Sequence, residues 1–223
     1  MLKSFSVLIF VIALVMSACS GEEQEHVTAV ENGGDVAAGI IAAVGDSLTA
    51  GFGLDEEESY PYLLQQKLEE DGYNYKVVNA GMSAETSSGT LSRIDWILTL
   101  DPDIIILETG ANDGLRGIDP KVVQTNIGEI LQKLEQAGVT VLLAGMKMVW
   151  NLGPLYVRQF NGIYPSLADQ YNLEFMPFFL QDVAMKVDLN QADGIHPNAK
   201  GYQLIAENIY PYVVKVIEKR ESR

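Results

Sequence analysis

Ile40-Ile41-Ala42-Ala43-Val44-Gly45-Asp46-Ser47-Leu48-Thr49-Ala50-Gly51-Phe52-Gly53 opens as an apolar run and breaks into a glycine-rich polar turn. A short continuous apolar run reads as a strand buried on both faces. The residues just after it then belong to the carboxyl edge of a parallel sheet, where ligands bind in such folds. A serine at that turn can expose its hydroxyl above the sheet edge, beside backbone N–H groups able to receive negative charge. The Gly-x-Ser-x-Gly pattern of a nucleophile elbow is absent, because Thr49 stands where its second glycine would be. Taken alone, the turn is equally well explained by Asp46 or Ser47 capping a helix.

Outward from that stretch, short β-type runs alternate with helical ones. Ser59 and Pro61 open a helical stretch that Gly72 closes, and Lys76 to Asn79 reads as a second strand. Leu91, Ile94, Ile97 and Leu98 have helical spacing. Asp103 to Leu107 is a third strand, followed by a helix with Asp119 as cap, Pro120 as first residue and Gly138 as stop. Thr140 to Ala144 is a fourth strand, a loop covers 145–154, and a helix runs to about Tyr171. Leu173 to Met176 is a weak fifth strand. Tyr202, Ile205, Ile209, Val213 and Val216 mark a last helix, which Pro211 should kink or split. This alternation predicts an α/β fold, a three-layer α/β/α sandwich on a mostly parallel sheet of about five strands.

Composition narrows the function. The 223 residues are 48% apolar and 20% charged, the balance of a chain that can bury a sizeable core. Fifteen basic residues against 30 acidic ones give a net charge of −15. That excludes nucleic acid as a partner and electrostatic docking on an anionic lipid surface. One cysteine and two histidines, His26 and His196, leave no disulfide framework, no Cys-rich zinc site and no multi-His metal site. No metal and no cofactor is expected.

The first 39 residues read as targeting rather than fold. After Lys3, the segment from Phe5 to Ala18 carries no charge, yet it is shorter than the ~20 residues a membrane span needs. Residues 1–18 therefore read as a secretory signal peptide. Met16-Ser17-Ala18-Cys19-Ser20 resembles the lipobox of bacterial lipoproteins, with Cys19 as the lipidated residue, although Leu is commoner than Met three residues before the cysteine. An ordinary secretory signal that happens to end near a cysteine is the alternative. Residues 19–39 read as an acidic, glycine-containing tether, with His26 incidental in it. The chain is accordingly expected to be exported and held to a bacterial membrane, on its periplasmic or cell-surface side, only through Cys19. Residues 40–223 are the folded domain.

Three more polar clusters follow the expected strands: Asn79-Ala80-Gly81-Met82-Ser83-Ala84-Glu85-Thr86, Gly110-Ala111-Asn112-Asp113-Gly114, and Asp193-Gly194-Ile195-His196-Pro197-Asn198. Each taken singly is compatible with an ordinary turn. In the last, Asp193 lies three residues before His196, so a tight turn brings its carboxylate to Nδ1 and leaves Nε2 for a nucleophile.

Together the clusters resemble, in form and chain order, the blocks of the SGNH hydrolases, or GDSL esterase/lipase family. Within that family they are most similar to the bacterial thioesterase/lysophospholipase/arylesterase group, which Ile163-Tyr164-Pro165 and Pro177-Phe178-Phe179 also match. The resemblance covers about residues 40–215 and implies a flavodoxin-like sheet. It implies Ser47 as nucleophile, His196 as general base and then acid, and Asp193 as the residue orienting His196. It implies an oxyanion hole made by the Ser47 N–H, the Asn112 side chain and a third N–H from a family glycine. Here that position is Ala84, and an alanine there is expected to take a negative φ. Asp46 and Asp113 are expected to be structural.

The resemblance further implies a monomeric esterase for acyl or aryl esters, thioesters or lysophospholipids. Leu115, Met148, Val149 and Trp150 are the substrate-binding candidates, since apolar side chains at a strand's carboxyl end can line an acyl groove; core packing is the alternative. A carbohydrate O-deacetylase and a non-catalytic surface lipoprotein are the competing readings.

Overall fold

The computed structural model of the chain describes residues 37–148 and 152–222. The segment read as a signal peptide, Cys19, His26, and Val149 and Trp150 all lie outside the described residues.

Five strands form one sheet: β1 (Gly39–Gly45), β2 (Tyr75–Gly81), β3 (Ile104–Glu108), β4 (Thr140–Ala144) and β5 (Glu174–Met176). Their order is β2-β1-β3-β4-β5, and every adjacent pair is parallel. The order reverses direction between β1 and β3, so the crevice that such sheets open at their switch point falls between those two strands. β3 is buried along its whole length, which is why it reads as Ile-Ile-Ile-Leu with no polar alternation. Its last residue, Glu108, is the exception and returns below.

The helices are α1 (Ser47–Ala50), α2 (Tyr60–Glu70), α3 (Ser87–Leu98), α4 (Ala111–Leu115), α5 (Pro120–Gln136), α6 (Pro154–Tyr171) and α7 (Ala199–Glu221). α2 packs with α7, whereas α5 packs with both α3 and α6, which covers the two sheet faces with separate helical layers. The cap of α5 is the one the sequence announces. Asp119 accepts the Lys121 N–H at 2.9 Å ahead of Pro120, and α5 buries Val123, Ile127, Ile130, Leu131 and Leu134. α7 departs from expectation. It runs unbroken through Pro211, because Tyr202, Ile205, Ile209, Val213 and Val216 are all buried on one stripe. That packing holds the segment helical although proline removes one hydrogen bond. Among the described residues, no helix is long and apolar enough to cross a membrane.

Register does the positioning. Gly45 is paired with Gly81, and the Met82 N–H continues the ladder to the Gly45 carbonyl at 2.9 Å. The turn after β1 and the turn after β2 therefore leave the sheet side by side. Val44 is paired with Leu107, which sets the turn after β3 on the other flank.

Candidate active site

Ser47 is the first residue of α1, immediately beyond the end of β1. Asp46 caps this short helix, accepting the Leu48 N–H at 2.9 Å. Ser47 Oγ lies 2.9 Å from His196 Nε2, and His196 Nδ1 lies 2.7 Å from Asp193 Oδ2. The other Asp193 oxygen accepts the backbone N–H groups of Ile195 at 2.9 Å and His196 at 3.0 Å. The carboxylate thus closes its own turn while it holds the ring, and Gly194, at φ +69°, supplies the left-handed residue this turn requires. The bond to the His196 ring, followed by the two backbone N–H groups, pulls the Asp193 carboxyl down to about 2.

The His196 turn is tied to the serine turn by a residue the sequence did not single out. Gln191 Nε2 donates to the Phe52 carbonyl at 2.7 Å and to the Pro197 carbonyl at 2.9 Å. The Phe52 ring lies against His196, centroids 4.6 Å apart and tilted by 37°. Residues 139 positions apart in the chain are clamped in this way.

Asn112 is the second residue of α4. Its Nδ2 donates to Asp46 Oδ2 and to the Glu85 carbonyl, both at 3.0 Å. A carboxylate and a carbonyl only accept, so together they fix which end of this amide is nitrogen. Asp46 therefore does more than cap a helix. Burial pushes its carboxyl up to about 6, against the hydrogen bonds from Leu48 and Asn112 that pull it down. Beneath it lies Glu108, fully buried, whose Oε2 accepts the Asp46 N–H at 3.2 Å and the Thr49 hydroxyl at 3.0 Å. Burial first, and the Asp46 charge second, raise the Glu108 carboxyl well above the usual carboxylate range. Asp113 points away from the serine. Its two oxygens accept the Ser87 N–H and hydroxyl, each at 2.7 Å, and so join α4 to the start of α3.

Ala84 corrects the expectation of a negative φ: it sits at φ +65°. The physical reason is the turn. The Glu85 N–H closes onto the Met82 carbonyl at 3.2 Å, so Ser83 and Ala84 are the two central residues. Ala84 alone of these two has positive φ, the sign that a type II turn demands at its third position and for which glycine is preferred. An alanine there costs about 1–2 kcal/mol. The turn is held from outside: Arg116 Nη2 donates to the Ala84 carbonyl at 2.9 Å. Next to it, Arg93 grips the Glu85 carboxylate with Nε at 2.6 Å and Nη2 at 2.7 Å and reaches the Ala80 carbonyl at 2.8 Å. The closing bond uses the Glu85 N–H and leaves the Ala84 N–H out of the turn's own hydrogen bonding.

Of the substrate-binding candidates, Leu115 is exposed at the end of α4 and Met148 is partly buried against Gly114, where an added Cβ would meet Met148 Cγ at 2.7 Å. Met82, on the Ala84 turn, is a further exposed apolar side chain. Sequence reasoning passed over Phe52, Glu85, Arg93, Glu108 and Arg116. Glu108 carried a readable signal, since a charge closing an all-apolar strand must be satisfied inside the fold. Among the described residues, no group of three or more His, Cys, Asp and Glu is placed to hold a metal ion.

Residues 43–204 match the GDSL-like Lipase/Acylhydrolase family. The chain is 40% identical to the esterase TesA of Pseudomonas aeruginosa, over 78% of this chain and 88% of that protein. It is 36% identical to the thioesterase 1/protease 1/lysophospholipase L1 of Escherichia coli K12, over 77% of this chain and 81% of that one. Its structure is similar to that of the psychrotrophic esterase EstA from Pseudoalteromonas sp. inhibited by monoethylphosphonate, with a TM-score of 0.77 and 36% identity, covering 81% of this chain and 99% of that one. The chain belongs to the GDSL-like lipase/acylhydrolase family of SGNH hydrolases.

Proposed function

We propose that this family member is a serine esterase that hydrolyses carboxylic esters or thioesters of acyl and aryl type, lysophospholipids included, through an acyl-enzyme on Ser47. The hydrogen-bonded series from Ser47 to His196 to Asp193 carries the reading. His196 Nε2 takes the proton as Ser47 Oγ attacks the substrate carbonyl. Asp193, accepting at Nδ1, keeps the ring in the tautomer whose Nε2 is free to do so. The carbonyl oxygen becomes an oxyanion facing the N–H groups of Ser47 and Ala84 and the Asn112 amide, which must share with it one of the two N–H groups it otherwise gives to Asp46 and the Glu85 carbonyl. One such donor is typically worth about 10²–10³ in turnover. As the intermediate collapses, His196 returns the proton to the departing alkoxide or thiolate. Water, deprotonated by His196, then releases the acid and restores Ser47.

Apolar Met82, Leu115 and Met148 around the site favour an acyl or aryl group over an acetylated sugar. The triad and all three proposed oxyanion donors come from one chain, in keeping with a monomer. A p-nitrophenyl ester series read against Ser47→Ala tests the activity: turnover falls by several orders of magnitude in the variant, and activity near wild type overturns the proposal. A fluorophosphonate supplies a second test, since a relative is inhibited by a phosphonate. It should add one phosphonyl group to the wild type, seen by intact mass, and none to Ser47→Ala.

The sequence supports an exported lipoprotein with a signal peptide at 1–18, a lipidated Cys19 on a tether to residue 39, and a catalytic domain over 40–223. A diacylglyceryl group plus an N-acyl chain exceeds the two signals that stable anchoring takes. Cys19→Ala should abolish lipid mass on the protein in bacteria. A wild-type protein without that mass overturns the anchor and leaves the esterase proposal standing.

A further inference from the structure

We propose that Arg116 is a positioning residue that holds Ala84 in its left-handed conformation and thereby keeps the Ala84 N–H aimed at the oxyanion. The inference rests on the oxyanion role proposed above for Ala84. Ala84 occupies the third position of a turn that asks for glycine, at φ +65°. Without a Cβ, that conformation is populated freely; with one, the turn has a standing tendency to relax. Two peptide planes meet at Ala84. The plane before it carries the Ala84 N–H, and the plane after it carries the Ala84 carbonyl and the Glu85 N–H. The second plane is pinned at both ends, by Arg116 Nη2 on the carbonyl at 2.9 Å and by the Met82 carbonyl on the Glu85 N–H at 3.2 Å.

Arg116 is well placed for this because it caps the carboxyl end of α4, the helix that carries Asn112, and its own N–H bonds the Asn112 carbonyl at 3.1 Å. Asn112 in turn bonds the Glu85 carbonyl at 3.0 Å. Two adjacent carbonyls of the Ala84 turn are therefore held by two side chains of one helix, which locks the two proposed oxyanion donors to each other. Arg116 is exposed, so its side chain is not needed to fill the core. A guanidinium suits the task, since it stays charged and its planar donors are fixed in direction.

The prediction is a coupling between the two positions. Glycine takes positive φ without strain, so the clamp should matter in the natural chain and little once residue 84 is relieved. With a neutral p-nitrophenyl ester, Arg116→Ala should lower kcat about tenfold, the equivalent of ~1.4 kcal/mol, with KM within about twofold. In the Ala84→Gly background the same change should cost no more than about twofold in kcat. An equal loss in both backgrounds, no loss in either, or a loss confined to KM overturns the proposal, the last by making Arg116 a substrate contact. Amide hydrogen exchange over residues 82–86 gives a reading that needs no turnover. It should quicken in Arg116→Ala and stay near the parent's in the double variant, and unchanged exchange in Arg116→Ala overturns the clamp. Turnover that survives Ser47→Ala would instead strike the esterase proposal.

Discussion

Asp46 Oδ2 accepts a hydrogen bond from Asn112 Nδ2 at 3.0 Å, joining the residue before the serine on one strand end to the amide at the next strand end. The contact crosses the sheet's switch point. It is the reason an aspartate is suited to a position that a helix cap alone would leave open to serine, threonine or asparagine. Asp46→Asn keeps an oxygen for the Leu48 N–H but sets an NH₂ against the Asn112 NH₂, so one amide must turn. We expect kcat to fall by about 10–100-fold, approaching the loss of an oxyanion donor, while the far-UV CD spectrum is retained. Steady-state kinetics on the purified variant decide it; a kcat unchanged from wild type removes Asp46 from the site.

Glu108 is buried, its carboxyl is raised by that burial and by the Asp46 charge, and its Oε2 accepts two hydrogen bonds, so its role is that of an acceptor. Glu108→Gln retains a carbonyl oxygen for the Asp46 N–H and the Thr49 hydroxyl, and its activity should stay within a few-fold of wild type. Glu108→Ala leaves both donors unmet and a cavity beside them, a cost of about 2–4 kcal/mol. Urea midpoints of the two variants test this. Equal destabilisation by Gln and Ala would mean that the charge itself matters.

Two aspartates should give the stability profile slopes of opposite sign. The Asp193 carboxyl is held at about 2, below the ~3.9 of an unfolded chain. It stabilises the fold above that unfolded value, and its contribution is lost as the pH falls from about 4 to about 2. The Asp46 carboxyl is held at about 6, above the unfolded value, so the fold favours its protonated form and stability declines as the pH rises from about 4 to about 6. Thermal midpoints against pH should therefore flatten below pH 4 in Asp193→Asn and between pH 4 and 6 in Asp46→Asn. The first effect should be small, because the Asp193 side chain is 40% exposed. A profile in which each substitution flattens the other window would refute the assignment.

Among the described residues, the Arg93–Glu85 ion pair is the one with both side chains nearly buried, at 12% and 4% exposure. Arg93→Met strands the Glu85 carboxylate and should cost about 3–5 kcal/mol in urea unfolding. Adding Glu85→Leu should recover most of that loss, since the penalty belongs to the unpaired charge. A double variant no better than the single would locate the cost elsewhere.

Much of this protein is legible along the chain. The strands β1, β3 and β4 announce themselves as continuous apolar runs, and Asp119-Pro120 announces a helix start, because these signals are local and need no partner. Ser47, Asn112, Asp193 and His196 stand out for the same reason, each in a short block just beyond a strand or before a helix. Where local signals compete with packing, the reading slips. Pro211 promised a break, and the buried stripe of α7 carries the helix through it. Ala84 promised negative φ, and the Met82–Glu85 turn imposes the opposite.

By itself, then, the sequence determined the order of elements and the parallel sheet, since period and caps are properties of neighbours in the chain, and the order of its polar blocks carried the family resemblance that proposes Ser47, His196 and Asp193 as the triad. Tertiary structure alone decided who supports them: Gln191 on the Phe52 carbonyl, Glu108 under Asp46, and Arg116 on the Ala84 carbonyl. Each of these is a hydrogen bond between loops distant in sequence, whose partners become neighbours only when parallel pairing brings the strand ends into register, with Gly45 beside Gly81 and Val44 beside Leu107. No pattern along one segment encodes the direction in which a side chain from another will arrive.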